Sequence, residues 1–268
     1  MAKITTFEVG YCTHIACMAL RGAGWRVCKF PSRAYLLEVG DRRWLWDTGY
    51  ANYFEQYTRS GLFSLYRTVT PVYLEPHQSL LEQLRAAGYA VGDIDGLILS
   101  HFHADHIAGL RDFTGVQFIC SGDGWQRTRS LRGFSALRQA FIPGLIPESF
   151  ESCVLFMESF ESIGLSGQLA PFTQGHVLPG SDGQIILLPL PGHAAGHIGA
   201  FILTDNGWTL LASDAAWSPL SYQQLRGPSV LANLLMDNSQ AYYRTLEHLN
   251  ALWAAGHVDI RLCHEGDL

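Results

Sequence analysis

The sequence predicts an α/β protein in which helices cover β-sheets, and three observations lead there. Short apolar runs alternate with amphipathic stretches of helical period in both halves of the chain, which suggests sheets and helices packed in layers. No repeat, low-complexity tract or linker interrupts the 268 residues, so they read as a single domain over 1–268. Hydrophobic residues make up 48% against 16% charged, enough apolar material for a sizeable core.

The elements follow in order. Tyr35–Val39 and Trp44–Trp46 read as strands, the second running into Asp47-Thr48-Gly49. A helix is expected over Gln78–Ala87, with Leu80, Leu81 and Leu84 on one face and Gly88 ending it. Gly96–Ser100 is an apolar strand that leads directly into His101, and Val116–Cys120 is another. Residues 121–180 mix glycine, proline and aromatics; helices are expected near 123–140 and 147–163, and the segment reads as a partly helical insertion. Strands return at Gln184–Leu190, Ile198–Leu203 and Trp208–Ala212. A helix over Gln240–Ala255 carries Leu246, Leu249, Leu252 and Trp253 on roughly one side, and a last strand, Val258–Cys263, leads into His264.

Charge and cysteine usage narrow the function. A net charge of −6 argues against nucleic acid as a partner, which calls for a basic face. No run is long and apolar enough to span a membrane, and the first residues lack the apolar core of a signal peptide, so a cytoplasmic location is expected. The six cysteines form no CxxC pair and no framework spacing, which fits free thiols in a reducing compartment. Cys263 is the one to watch, because it adjoins His264.

The stretch Ser100-His101-Phe102-His103-Ala104-Asp105-His106 concentrates four potential metal ligands directly after an apolar strand. Alternation puts His101 and His103 on one side, within reach of one metal. Asp105 and His106 lie on the following turn and can reach a second. Imidazole suits zinc, and carboxylate is a harder ligand that zinc also accepts. His193, Asp214 and His264 each follow an apolar run in the same way. Any one of them alone would read as a hydrogen-bonded structural residue. A four-ligand cluster joined by three repeats of strand-then-ligand reads instead as two metal sites.

The order of these motifs resembles the metallo-β-lactamase superfamily. Ser-His-Phe-His-Ala-Asp-His is similar to its HxHxDH signature, and Pro-Gly-His193-Ala-Ala-Gly-His197 to its later GH(T/S)xGH motif. Leu211-Ala-Ser-Asp214 resembles the bridging-aspartate motif, Cys263-His264-Glu265 the terminal histidine, and Trp46-Asp47-Thr48-Gly49 the DTG turn. The resemblance implies an αββα sandwich and two metal ions, zinc first, with iron or manganese also fitting the ligand set. It assigns His101, His103 and His193 to the first metal and Asp105, His106 and His264 to the second, with Asp214 bridging. Asp47 is either an orienting group beneath the site or a turn-former. His197 reads as structural, and His14, His77, His176, His248 and His257 match nothing.

The same resemblance implies a hydrolase in which a metal-bridging hydroxide attacks a substrate carbonyl. Asp105 would orient that hydroxide, and Asp105 or Asp214 would pass a proton to the leaving group. Among subfamilies, N-acyl homoserine lactone lactonases, the enzymes of quorum quenching, are the nearest in pattern. Two departures stand out: Trp217 occupies the position of a tyrosine aimed at the substrate carbonyl, and the span between His106 and His193 is long. Aromatic residues crowd positions 50–73 and 121–180. They read as core, as a homodimer interface, or as an apolar pocket for a small-molecule substrate with an acyl or aromatic part. The reactions left in play are lactone opening, hydrolysis of an acyl thioester or other carboxylic ester, and metal binding or sensing without turnover. The motif Gly10-Tyr11-Cys12-Thr13-His14 carries no assignable mechanism.

Overall fold

A computed structural model describes residues 1–266. The chain forms a first sheet from β1 (Lys3–Ile15), β2 (Val27–Val39), β3 (Arg42–Trp46), β4 (Val72–Tyr73), β5 (Gly96–Ile98), β6 (Gln117–Cys120) and β7 (Val154–Phe156). A second sheet follows from β8 (Ser162–Gly164), β9 (Gln174–Val177), β10 (Ile185–Pro189), β11 (Ile198–Thr204), β12 (Gly207–Ser213) and β13 (Val258–Leu262). Strand order is β4-β1-β2-β3-β5-β6-β7 in the first and β13-β12-β11-β10-β9-β8 in the second.

Helices α1 (Ala16–Ala19), α2 (Asn52–Thr58), α3 (Ser64–Val69), α4 (Leu80–Ala86), α5 (Ala104–Ile107), α6 (Gly122–Thr128), α7 (Gly133–Arg138) and α8 (Phe150–Cys153) accompany the first sheet in sequence. Helices α9 (Pro219–Gln223), α10 (Val230–Asn233) and α11 (Ser239–Ala255) accompany the second.

The side-chain period of two along each strand divides the apolar residues into separate cores. Leu36, Leu45, Leu97 and Phe118 face the helices of the first half. Ile186, Leu188, Phe201 and Leu210 face α11, which contributes Leu246, Leu249 and Leu252. Their strand neighbours Leu37, Trp46, Ile98, Leu187, Ile202 and Leu211 pack together in a third cluster that joins the two sheets. Three apolar interfaces make four layers, the expected αββα arrangement.

Most expected elements are present; β2 begins earlier, at Val27, α2 and α3 are added, and two further stretches differ in kind. The strand β1 was not expected: a bulge between Glu8 and Tyr11 breaks its alternation, with Gly10 at φ +73°. The helix expected over 147–163 is instead the short α8, then β7 and β8. Here β7 pairs in parallel with β6, and β8 pairs antiparallel with β9. Sheet pairing with distant strands prevails over local apolar spacing, and residues 121–180 supply edge strands to both sheets. The helices expected near 123–140 are α6 and α7, separated by a turn.

Candidate metal centre

The site forms where loops leave the ends of β3, β5, β10, β12 and β13. The strand β5 stops at Ile98, earlier than expected, and residues 101–103 continue as irregular backbone into α5. His101 and His103 nevertheless converge, with ring centroids 4.4 Å apart. His193 joins them, its Nε2 3.0 Å from His103 Nδ1. The turn presenting His193 depends on Gly192 at φ +129°, where a Cβ would fall 2.2 Å from the Tyr242 backbone nitrogen.

Asp214 ends β12 and occupies the middle. Its Oδ1 lies 3.3 Å from His106 Nε2; its Oδ2 lies 3.3 Å from His193 Nε2 and 3.4 Å from His264 Nε2. Asp105 closes the other side, with Oδ2 3.0 Å from His264 Nε2 and 3.8 Å from His106 Nε2. All seven residues named from the sequence therefore meet in one place, although they span positions 101 to 264.

Two overlapping groups have ligand atoms within 4.8 Å of one another: His101, His103, His193 and Asp214, and His106, Asp214, Cys263 and His264. The second includes Cys263 where the resemblance implies Asp105. The Cys263 sulfur is already engaged with the Arg33 backbone, accepting its N–H at 3.3 Å and donating to its carbonyl at 3.5 Å. Asp105 offers an oxygen between His106 and His264, so its carboxylate is the better placed donor.

The residues behind the site explain how the rings are aimed. Asp47, at φ +56° in the turn after β3, accepts the Ser100 N–H at 2.8 Å and the Ser100 hydroxyl at 2.7 Å. Its Oδ2 also lies 2.8 Å from His106 Nδ1. Asp47 is thus both a turn residue and the group that orients His106. His264 Nδ1 lies 2.7 Å from the Pro31 carbonyl, which directs Nε2 toward the carboxylates. His197 is structural: Nδ1 faces the Leu190 carbonyl at 2.9 Å, and Nε2 accepts the Asp214 N–H at 3.2 Å.

The electrostatics follow from burial and from this mixture of charges. Burial holds His101 and His193 well below the usual histidine range and brings His103 and His197 down to about 4. Burial also acts on His106 and His264, yet the carboxylates around them, led by Asp47 for His106 and Asp214 for His264, raise both well above it. Burial opposes ionisation of Asp105, but His106 and His264 bring it down to about 2; histidines likewise hold Asp214 well below the carboxylate range.

Whether the donors suit a metal can be judged from their unmet valences. His101 Nε2, His106 Nε2 and Asp214 Oδ1 are buried and make no hydrogen bond. Orphaned polar atoms at this depth are costly unless something binds them. A divalent cation needs neutral imidazoles and ionised carboxylates: His101, His103, His193 and both aspartates are already in those states, and His106 and His264 would give up a proton on binding one. The donor set fits two such ions.

The cluster floors a cavity of about 360 Å³ with mostly apolar walls, including Phe30, Tyr66, Leu137 and Met236. Part of the aromatic-rich 50–73 segment thus lines a pocket, while Phe141 and Phe150 of the later segment are core. Cys12 and His14, which matched no mechanism, also line it; burial pushes the Cys12 thiol up to about 11, which leaves it inert. Trp217 lines it too, and its indole N–H donates to Asp214 Oδ2 at 2.9 Å. Its identity was legible, but not that it turns to the Asp214 carboxylate.

Residues 29–251 match the family model described as "Metallo-beta-lactamase superfamily". A probable metallo-hydrolase of Mycobacterium tuberculosis is 26% identical over 187 residues, 67% of this chain and 55% of that protein, so the chain spans little more than half of that relative. The N-acyl homoserine lactonase AiiB of Agrobacterium fabrum is 24% identical over 84% of this chain and 75% of its own length. An N-acyl homoserine lactonase of Bacillus thuringiensis is 27% identical over 74% of this chain and 69% of its own. Among solved structures, an N-acyl homoserine lactone hydrolase with N-hexanoyl-L-homoserine at its catalytic metal centre shares the fold. Its TM-score is 0.74 at 18% identity, over 98% of this chain and 93% of that one.

Proposed function

This chain belongs to the metallo-β-lactamase superfamily, and from that premise we propose that it is a dinuclear metal-dependent hydrolase of carboxylic esters, acting first on a lactone with an apolar acyl part. The observation that carries the reading is the convergence of five histidines and two aspartates, several with unmet buried valences, at the floor of an apolar cavity. His101, His103 and His193 would hold one cation and Asp105, His106 and His264 the other, with Asp214 between them. Zinc suits this set, and the AidC lactonase, a structural neighbour, is described as dizinc. When bound, such a pair supplies water activated at neutral pH and an electrophile for a carbonyl oxygen.

The remaining work falls to this chain's own groups. Asp105, ionised and lining the cavity, accepts the proton of the attacking water and orients it. That proton then passes to the departing oxygen, from Asp105 directly or relayed through Asp214. Trp217 fixes the Asp214 carboxylate through its N–H, and the apolar walls hold the acyl part and exclude bulk water. The lactonase names of two relatives support a lactone such as an acyl homoserine lactone as the first substrate to try.

One observation favours a second reading. The indole of Trp217 is committed to Asp214 and offers no phenol to a substrate carbonyl, which suits an acyl thioester or open-chain ester as well as a lactone. The test is hydrolysis by metal-loaded protein of acyl homoserine lactones, acyl-CoA thioesters and simple esters in parallel, beside an Asp105→Asn variant and elemental analysis. Lactone opening with two metals per chain, abolished in Asp105→Asn, is expected. Turnover of thioesters alone overturns the lactone reading, and a loaded protein inert to the whole panel overturns the hydrolase.

A further inference from the structure

The mouth of the cavity differs in character from the rest of the surface. Four segments frame it: residues 16–27 around α1, α3 with Thr70, residues 132–140 around α7, and residues 225–236 around α10. Each contributes lining residues, among them Met18, Leu65, Val69, Leu137, Arg138 and Leu235. Two are tied together by backbone hydrogen bonds, Arg21 N–H to the Gly227 carbonyl and Ser229 N–H to the Cys17 carbonyl.

Nearly all the large apolar side chains that face solvent sit on these segments. Trp25 is 80% exposed and Phe134 74%, and Leu231 and Leu234 of the α10 segment are both above 60%. Elsewhere among the described residues, the large apolar side chains that stand out are Met1, Tyr73 and Trp253. Exposed apolar side chains gathered on the segments around a pocket mark a surface that meets something.

The charge of the rim says what. These segments carry Arg21, Arg26, Arg67, Arg132, Arg138 and Arg226, and not one aspartate or glutamate, in a chain whose net charge is −6. Arg67 reaches Glu55 on neighbouring α2 and the Arg226 Nε is buried, which leaves Arg21, Arg132 and Arg138 as rim cations with no carboxylate partner among the described residues. A second copy of the chain is a poor occupant. A two-fold interface sets the same patch against itself, and arginine-rich faces would meet with like charge. An anionic bilayer satisfies both features at once. Arginines pair with its headgroups while exposed tryptophan, phenylalanine and leucine enter the headgroup–acyl boundary.

We propose that the rim of the cavity docks on the surface of an anionic lipid bilayer, with the pocket opening toward the membrane. The docking stands on the rim alone. That it delivers an apolar acyl substrate from the bilayer rests on the function proposed above.

Flotation of metal-loaded protein with phosphatidylcholine vesicles, with and without phosphatidylglycerol, tests it. Three proteins are compared: the parent, Leu231→Ser/Leu234→Ser, and Arg21→Gln/Arg132→Gln. Circular dichroism confirms folding, sedimentation velocity reports assembly, and hydrolysis of a water-soluble short-chain ester reports the centre. Binding is expected only when phosphatidylglycerol is present, weakening with salt. The leucine pair should abolish it, and each arginine removed should weaken it roughly five-fold, with short-chain turnover unchanged. Absence of binding at low ionic strength, binding indifferent to the variants, or a dimer that the leucine pair converts to monomer would each overturn the proposal. Failure of all three proteins to hydrolyse any ester would instead overturn the function and leave the docking result standing.

Discussion

Asp47 Oδ2 and His106 Nδ1 meet at 2.8 Å in a region closed to solvent. A carboxylate behind a ligating imidazole fixes its tautomer and raises its basicity. In Asp47→Asn the amide nitrogen cannot accept the ring N–H, and the Ser100 hydroxyl loses its charged acceptor. Affinity for the cation held by His106 should fall about 10- to 100-fold, read by competition with a chromophoric chelator. Unchanged affinity would remove Asp47 from the site and leave it a turn residue.

Trp217 makes one polar contact, the N–H donated to Asp214 Oδ2, and its ring stands edge-on to His193 with centroids 5.4 Å apart. Trp217→Phe keeps the ring and deletes the donor. Loss of a hydrogen bond to a charged group costs about 1.5–3 kcal/mol, so kcat should drop roughly ten-fold or more while KM moves little. A change confined to KM would mean that the indole serves substrate packing.

Stripping the metals should destabilise the fold, because the buried donors then lose their partner. At a free metal concentration one hundred times Kd the bound state gains about 2.7 kcal/mol. For a protein of this size that corresponds to a fall in Tm of roughly 5–10 °C on chelation. Calorimetry with and without dipicolinate checks it; equal values would mean that the cluster does not bind metal.

The His197 imidazole gives a pH dependence of definite sign. Burial lowers it to about 4 from an ordinary 6.5, so the unfolded chain takes up a proton that the folded chain refuses. Stability is therefore complete above about pH 6.5 and declines as pH falls toward 4. Protonation would also cost Nε2 its role as acceptor for the Asp214 N–H. Urea unfolding of the parent and His197→Gln across that interval should show the shallower slope in the variant. Parallel slopes would mean that His197 does not titrate as its burial implies.

Much of the centre was legible because chemistry and sequence order coincide there. Four ligands lie within six residues after β5, and His193, Asp214 and His264 each close an apolar strand, so strand ends could be read as ligand positions. What escaped depends on distance in sequence. The donation from Trp217 to Asp214 requires a side-chain direction that no periodicity encodes. Asp47 could be named but not assigned, since its partner His106 lies fifty-nine positions away. β1 was hidden by its bulge, and 147–163, expected to be helical, is drawn instead into pairing with β6 and β9. The arginine-rich rim is assembled from four separate short segments, each unremarked alone.

The parallel pairing of β12 with β13 has a bearing on biosynthesis. These neighbouring strands deliver Asp214 and His264 to the same spot, yet α9, α10 and α11 intervene between them. On a ribosome the first sheet and the trio His101, His103 and His193 emerge well before β13. On the ligand assignment proposed above, the first three histidines would be available to a cation before the strand that precedes His264 is inserted beside β12. If the centre holds two ions as proposed, the one that needs His264 can be bound only after β13 has taken its place.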